Sequence, residues 1–331
     1  MKKSIKIVSI VFASLLTAIM IFLGVYYLWP WNKEFFDKAD KEFLIPGLDT
    51  TFVPQGMTKL DYNNQYLISG YMGDGSPSRY YLYDSEEEKL VKYFTLKVDN
   101  EFYYGHAGGV ANAGSTFWTV GDKQCLRFNL TQITEVEDGG FIKVLDSFNT
   151  TNGADFVFTT NGMLWIGEFY KEGKYETDRS HHLETTSGET NHALVYGYEI
   201  HEGKKYGLLN VTPTKLLSIR DMVQGIAVDT SGNFIMSTSY SLPDSNIYYY
   251  KNVLEHECDT HIYLGNNSIP LWFLDNNSLL SAINAPSMAE EIVFENNRVY
   301  ILFESNAKKY RLFNRKRIKN VYSLPITEFD K

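Results

Sequence analysis

The sequence returns five times to one short pattern, and this recurrence limits the possible folds more than any other feature. In each return, a small or polar residue precedes a short apolar run, and a turn then leads to a second apolar strand. The first runs lie at residues 53–58, 105–111, 153–158, 222–227 and 288–293. Such returns at intervals of roughly 45–70 residues are typical of similar sheets arranged around an axis.

We therefore predict an all-β domain, a β-propeller of five blades with four antiparallel strands each. A sixth blade hidden in residues 170–220 or 240–285 is the alternative. Apolar runs place the outer strand of blade two at 141–145 and that of blade four near 262–264 or 271–274, with one helical turn at 278–282. The last blade has only three strands, and a lone strand at 43–45 precedes the first blade. Pairing the two would close the ring and remove both sheet edges.

The N-terminal segment has a different composition from the rest of the chain. Lys2, Lys3 and Lys6 precede an uncharged run from residue 7 to about residue 29, which can cross a hydrocarbon core of about 30 Å as a helix. Aromatic residues at its far end match a membrane interface: Tyr26, Tyr27, Trp29 and Trp31. We predict an uncleaved signal anchor over 1–31, a charged stalk over 32–41 and the propeller over 42–331. A cleaved signal peptide is the competing interpretation.

The lysines before the apolar run favour a cytoplasmic N-terminus. The protein is then expected in the cell membrane as a single-pass protein with its C-terminal domain outside the cell. The formal net charge of −9 argues against nucleic acid as a partner. The two cysteines, Cys125 and Cys258, fall in different predicted blades. Two unrelated thiols are the favoured interpretation, and a disulfide is the alternative.

Polar residues from all five blades are expected at one face of the ring. In a propeller the inner strands start at one face and the second strands return to it. The starts and ends of these strands, together with a basic loop at 308–319, supply the candidate ligand-binding residues: Gln55, His106, Asp155, Glu168, Gln224, Tyr240, Glu290, Glu304, Lys309 and Arg311. These groups either plug the channel by bonding to one another or form a ligand site at its mouth.

A divalent cation is one candidate ligand of this mouth. Asp155 and Glu290 offer carboxylate oxygens, and Gln55 and Gln224 offer amide oxygens, which together suit Ca²⁺. The basic loop offers a second partner, an anionic cell-wall polymer or membrane phosphates. His181 and His182, in a long polar loop, are interpreted as solvated.

Two functions remain open from the sequence. The first is a membrane-anchored extracytoplasmic propeller that binds a small molecule, a glycan, a cell-wall polymer or a protein partner at its loop-rich face. The second is a divalent-metal-dependent hydrolase, lactonase-like or glycan-directed, with Asp155, Glu290 and His106 as catalytic candidates. The sequence contains no Gly-x-Ser-x-Gly elbow, His-Glu-x-x-His run, phosphate loop or dinucleotide fingerprint.

Several segments together resemble a group of uncharacterised secreted or membrane-anchored bacterial β-propeller proteins. They include Pro54-Gln55-Gly56, the run from Gly105 to Gly109, Val223–Ala227, Lys309-Tyr310-Arg311 and Val321–Pro325. The resemblance covers about residues 53–326 and implies a propeller outside the cell, with no assigned activity. The blades are more distantly similar to gluconolactonase-like and strictosidine-synthase-like propellers. In the lactonases a Glu at the start of blade one helps to hold a divalent metal, whereas this chain has Gln55 there.

Overall fold

The computed structural model describes residues 2–61, 63–151 and 153–329, with side chains from residue 11 onward. The chain begins with a helix, Lys2–Leu28, which is long and apolar enough to cross a membrane by length and composition. A second helix, Lys33–Lys38, follows at once, and its Phe35 is buried against Phe303. Residues 32–41, expected as a charged stalk, are therefore a helix packed on the main domain and the start of its first strand. The apolar face of Phe35 and Phe36 is what holds them there.

The main domain is a five-bladed propeller, as predicted, and the described residues form no sixth blade. From the axis outward, the strands of blades one and two are Phe52–Lys59, Gln65–Met72, Arg79–Asp84 and Lys89–Val98, then Gly109–Ala113, Thr116–Gly121, Gln124–Asn129 and Asp146–Asn149. Those of blades three and four are Phe156–Thr160, Met163–Gly167, Ala193–Glu199 and Lys215–Ile219, then Val223–Val228, Phe234–Thr238, Ser245–Tyr250 and Leu279–Ala285. Blade five is Ala289–Glu295, Arg298–Phe303, Asn320–Pro325 and Asp40–Leu44.

The ring closes through its N-terminal strand, which confirms the prediction for residues 43–45. Asp40–Leu44 pairs antiparallel with Asn320–Pro325, with Asp40 opposite Ser323. Phe43 from this strand is buried between two rings of blade one, with centroids 4.7 Å from Tyr66 and 5.2 Å from Tyr83. The first strand therefore completes blade five as its outermost strand and also packs it against blade one.

Two outer-strand predictions were wrong. Gly140–Lys143, predicted within the outer strand of blade two, pairs in parallel with the outer strand of blade one. The hairpin Thr260–Leu264 and Asn267–Phe273, predicted to supply the outer strand of blade four, extends blade three. The fourth strand of blade four is instead Leu279–Ala285, where a helical turn was expected. An apolar run shows that a strand will be buried, but it does not show which of two neighbouring edges will bind it.

Short elements fill the connections. Leu130–Glu135 is a helix that Asn129 and Gln132 begin with a capping box. The remaining elements are the strands Glu101–Phe102, Leu183–Glu184 and Thr190–Asn191 and the 3-10 turns Arg179–His181, Lys205–Gly207, Val253–Glu255 and Ile326–Glu328. The long connection after Gly167 therefore has its own small sheet and lies on the face where the second strands end.

The core consists of apolar clusters between neighbouring blades, with Trp118 and Trp165 fully buried. Serine hydroxyls also donate hydrogen bonds to backbone carbonyls of the next blade, beside the axis. Ser69 Oγ donates to the carbonyl of Ala107 at 3.0 Å, and Ser237 Oγ donates to that of Glu290 at 2.5 Å. Because these bonds hold the starts of the inner strands, the residues at the ring mouth occupy fixed positions.

Candidate functional site

The inner strands of three blades are irregular at the same level, near the mouth of the channel. Their pairing with the second strand shifts by one residue between Pro54 and Gly56 and between Val223 and Gly225, and it also shifts between Ala289 and Ile292. A bulge of this kind turns a side chain out of the regular alternation. The residues placed at these irregularities are Gln55, Gln224, Glu290 and Glu291. The repeated polar residue noticed in the sequence thus corresponds to a repeated break in the sheet.

Glu290 and Glu304 form a carboxyl pair at this level. Gln55 Nε2 donates to Glu304 Oε2 at 2.9 Å, and Glu290 is buried beside them. Burial raises the pKa of Glu290 well above its ordinary value, and the charge of Glu304 raises it further. Burial also raises the pKa of Glu304 to about 7, although the bonds from Gln55 and Glu290 oppose that shift. Glu290 therefore keeps its proton near neutral pH and donates it to Glu304.

Two tyrosines and a histidine lie close to the carboxyl pair. Lys309 Nζ donates to the hydroxyl of Tyr71 at 2.7 Å, and that hydroxyl lies 2.9 Å from the hydroxyl of Tyr310. Burial raises the pKa of Tyr71, as do the carboxyls of Glu304 and Glu290, so the phenol stays protonated. The ring of His106 stacks on Tyr71 with centroids 4.8 Å apart. Lys309 and Tyr310 come from the basic loop, so this loop forms part of the mouth.

His106 and Asp155 reach solvent in the same region. Burial lowers the pKa of His106, against the opposing charge of Asp122. Asp155 accepts a bond from the backbone N–H of Phe169 at 2.8 Å. Burial raises the pKa of Asp155 to about 6, and the charges of Glu168 and Asp122 add smaller upward shifts. The mouth thus holds an uncharged imidazole and a carboxyl that changes charge close to neutral pH.

Glu168 was predicted to bind ligand, but its carboxylate is bonded inside the protein. Its oxygens accept from the backbone N–H of Gly153 at 3.2 Å, from that of Leu194 at 3.0 Å and from His181 Nδ1 at 2.9 Å. The side chain of His181 is 14% exposed, so the expectation that it is solvated was wrong. Glu168 and His181 fasten the long loop to blade three.

That loop carries a second aromatic group to the mouth. Tyr240 packs against Phe169 and Tyr175, each with centroids 6.3 Å away, and Lys174 lies 5.3 Å from its ring centre. Phe169 and Tyr240 each follow the end of a second strand, Met163–Gly167 and Phe234–Thr238, so this group lies on the face where the second strands end.

The other predicted residues are more peripheral. Gln224 Nε2 donates to the carbonyl of Ser239 at 3.3 Å, so its amide is partly used within blade four. Arg311 is exposed on the basic loop, two residues beyond Lys309. Its guanidinium forms no ion pair with any carboxylate in the described part of the chain. The ligand contact predicted for Arg311 stays a prediction.

The two predicted metal ligands, Asp155 and Glu290, have different acidic neighbours. The acidic neighbours that affect the pKa of Asp155 are Glu168 and Asp122, whereas those of Glu290 are Glu304 and Glu291. In residues 2–61, 63–151 and 153–329, no group of three or more His, Cys, Asp and Glu side chains is placed to hold a metal ion. A cation at the mouth would therefore need ligands other than three such side chains of the described residues.

Sequence reasoning missed a cavity at the opposite end of the channel. It has a volume of about 300 Å³ and is lined by all five inner strands. Lys59 and Glu295 form an ion pair of 2.9 Å in its wall. Glu291 lines it as well, and burial raises the pKa of this carboxyl far above its ordinary value. The residue in the sequence that points to this cavity is Gly225. A side chain at this position would overlap Glu291 Oε1 in the cavity wall.

No protein-family model matches the chain, and no curated protein gives a significant match. Solved structures do resemble its fold. Glutaminyl cyclase from Myxococcus xanthus is 9% identical, with a TM-score of 0.44, over 80% of this chain and 90% of that one. The PQQ-bound aldose sugar dehydrogenase from Streptomyces coelicolor is 10% identical, with a TM-score of 0.45, over 87% of this chain and 98% of that one. Similarity at this level concerns the arrangement of strands, and the chemistry of each enzyme is its own.

Proposed function

We propose that this protein is a membrane-anchored propeller that binds a hydroxyl-rich ligand, a glycan, at the mouth of its channel outside the cell. The observation that carries the proposal is the mouth itself. Glu304 accepts from Gln55 at 2.9 Å beside the buried Glu290. At the same mouth the hydroxyl of Tyr71 accepts from Lys309 at 2.7 Å and lies 2.9 Å from that of Tyr310. A sugar ring presents apolar C–H faces that stack on aromatic rings, and hydroxyls that need both donors and acceptors.

The mouth supplies both kinds of polar group. The ammonium group of Lys309 has donors beyond the one bonded to Tyr71, and Glu290 Oε1 is a buried acceptor without a hydrogen-bond partner among the described residues. Lys309 is exposed and adds a cation for an acidic or phosphorylated substituent. His106 and Tyr310 extend the flat wall. Hydrogen bonding and stacking are therefore the interactions that these side chains support best.

Calorimetric titration of the full chain in detergent micelles tests this proposal. The probes are neutral glycan strands released from peptidoglycan and poly(glycerol phosphate). We expect at least one to bind, and Tyr71→Ala to weaken it about tenfold or more, as loss of a central aromatic contact does. Tyr263→Ala is the matched control, because Tyr263 is 72% exposed on the outer hairpin of blade three. The proposal is wrong if neither probe binds, or if Tyr71→Ala leaves the affinity unchanged.

The location outside the cell has its own test. The thiol of Cys258 is partly exposed and that of Cys125 is buried, and neither is in a disulfide. A membrane-impermeant maleimide added to intact cells should therefore label Cys258, and Cys258→Ser should abolish the signal. A probe that reacts only after the cells are lysed would place the propeller inside the cell.

A further inference from the structure

The basic loop, residues 308–319, packs against the end of the apolar helix. The hydroxyl of Tyr26 donates to the carbonyl of Phe313, and that of Tyr27 donates to the carbonyl of Leu312, both at 2.7 Å. The guanidinium of Arg317 lies 5.0 Å from the ring centre of Tyr27. The tip of the loop is therefore at the level of the aromatic residues that end the helix.

This level is where a bilayer surface would lie. Tyr and Trp at the end of an apolar helix mark the boundary between hydrocarbon and water. Trp29, one of these residues, is 57% exposed, and the guanidinium of Arg315 lies 4.3 Å from the ring centre of Trp31. A helix that spans the membrane would thus bring the loop tip to the headgroups.

The loop tip has the composition of a membrane-binding surface. Leu312 is 64% exposed and Phe313 is 65% exposed, side by side at the outermost turn. Exposed cations surround them: Lys308, Lys309, Arg311, Arg317 and Lys319. None of these five forms an ion pair with a carboxylate among the described residues, whereas Arg315 is paired with Asp244. Apolar side chains flanked by free cations bind the surface of anionic bilayers.

The loop is held rigidly in this position. Asn314 is fully buried, and its amide donates to Ser287 Oγ at 3.0 Å. Ile318 is also buried, and its N–H donates to Ser305 Oγ at 3.1 Å. These bonds hold both sides of the tip, and Leu312 and Phe313 are exposed between them.

We propose that Leu312, Phe313 and the exposed cations of the basic loop dock on the anionic headgroups of the membrane that holds the helix. The proposal rests on the anchoring proposed above. It adds an orientation: Lys309 and Tyr310 belong to both the loop and the mouth, so the mouth opens beside the bilayer. Ligand then reaches Tyr71 and Glu304 along the membrane surface.

Spin-label depth measurements on the full chain test the docking. The probe is a Cys258→Ser protein with a label at Phe313→Cys, reconstituted in vesicles of phosphatidylcholine with phosphatidylglycerol. We expect oxygen to reach the label more readily than a water-soluble nickel complex does, as at a site in the acyl boundary. The matched control is a label at Tyr263→Cys, where the nickel complex should have the better access. A label at residue 313 as aqueous as that at residue 263 overturns the proposal.

Three further variants separate the role of the anchor from that of the cations. A label at Phe22→Cys, 65% exposed on the helix, reports the anchor. An aqueous label there rejects the anchoring and the docking together, whereas a lipid-exposed label at 22 with an aqueous label at 313 rejects the docking alone. Each charge removed, as in Lys308→Gln or Arg311→Gln, should lower the docking equilibrium constant about fivefold on anionic vesicles. No change would overturn the role assigned to anionic headgroups.

Discussion

Replacing Glu304 with Gln should make the protein's stability less sensitive to pH. Gln keeps the shape of the side chain, accepts from Gln55 and cannot ionise. In the wild-type protein the pKa of Glu304 is raised from 4.5 to about 7. The folded state therefore holds a proton that the unfolded state releases, so stability falls as the pH rises through this window and the loss is complete above it.

The shift sets the size of the effect. A rise of about 2.5 pKa units at about 1.36 kcal/mol each amounts to about 3 kcal/mol. Glu304 keeps part of its surface in water, and screening reduces this to about 2 kcal/mol. As the pH rises from about 4 to about 8, the free energy of unfolding of Glu304→Gln should thus gain about 2 kcal/mol relative to that of the wild type. In thermal melts this corresponds to a relative gain on the order of 5 °C.

The assay is thermal unfolding of the full chain in detergent micelles across this pH range, followed by near-ultraviolet circular dichroism. Glu101→Gln is the matched control, because Glu101 is exposed on a short edge strand of blade one. Its melting temperature should follow that of the wild-type protein at each pH. A constant difference between Glu304→Gln and the wild type at all pH values would refute the raised pKa and the shared proton with it.

Three further predictions concern the fold. Phe43→Ala should destabilise the propeller by about 3–5 kcal/mol in a denaturation assay, since it removes a buried ring from the closure strand. The control is Leu44→Ala. Leu44 is 55% exposed, so this change should cost about 0.5 kcal/mol or less. Gly225→Ala should cost about 1–3 kcal/mol in such melts, because its Cβ would lie 2.9 Å from Glu291 Cα and overlap Glu291 Oε1; full stability would contradict the close approach. In the native protein a thiol reagent should modify Cys258 and not Cys125, because Cys125 is buried and burial raises the pKa of its thiol. Equal rates before unfolding would contradict this burial.

The sequence predicted the ring because each blade repeats its own local signals. A polar residue, an apolar run and a turn are sufficient to mark an inner strand and its neighbour. The closure by residues 43–45 was also predictable, since a strand with no partner and a blade with one strand missing have a single economical solution. The outer strands were harder, because Ile142 and Leu271 can be buried at either of two adjacent edges.

The candidate site was predictable in its position and not in its bonding. Gln55 and Glu290 both lie at irregular positions of inner strands beside Glu304, since the bulges repeat with the blades. Sequence patterns do not show which acceptors are already satisfied, so Glu168, bonded to two backbone N–H groups and His181, looked the same as Glu304. The cavity beside Glu291 also escaped notice, because its walls are ordinary strand residues without a motif.

The closure strand also constrains the order of events during synthesis. Asp40–Leu44 leaves the ribosome well before its partner Asn320–Pro325 is made. Until that partner emerges, this strand has an unpaired edge that another nascent chain could capture. Truncation before residue 320 should then yield oligomers joined through residues 40–44 instead of a shorter monomer.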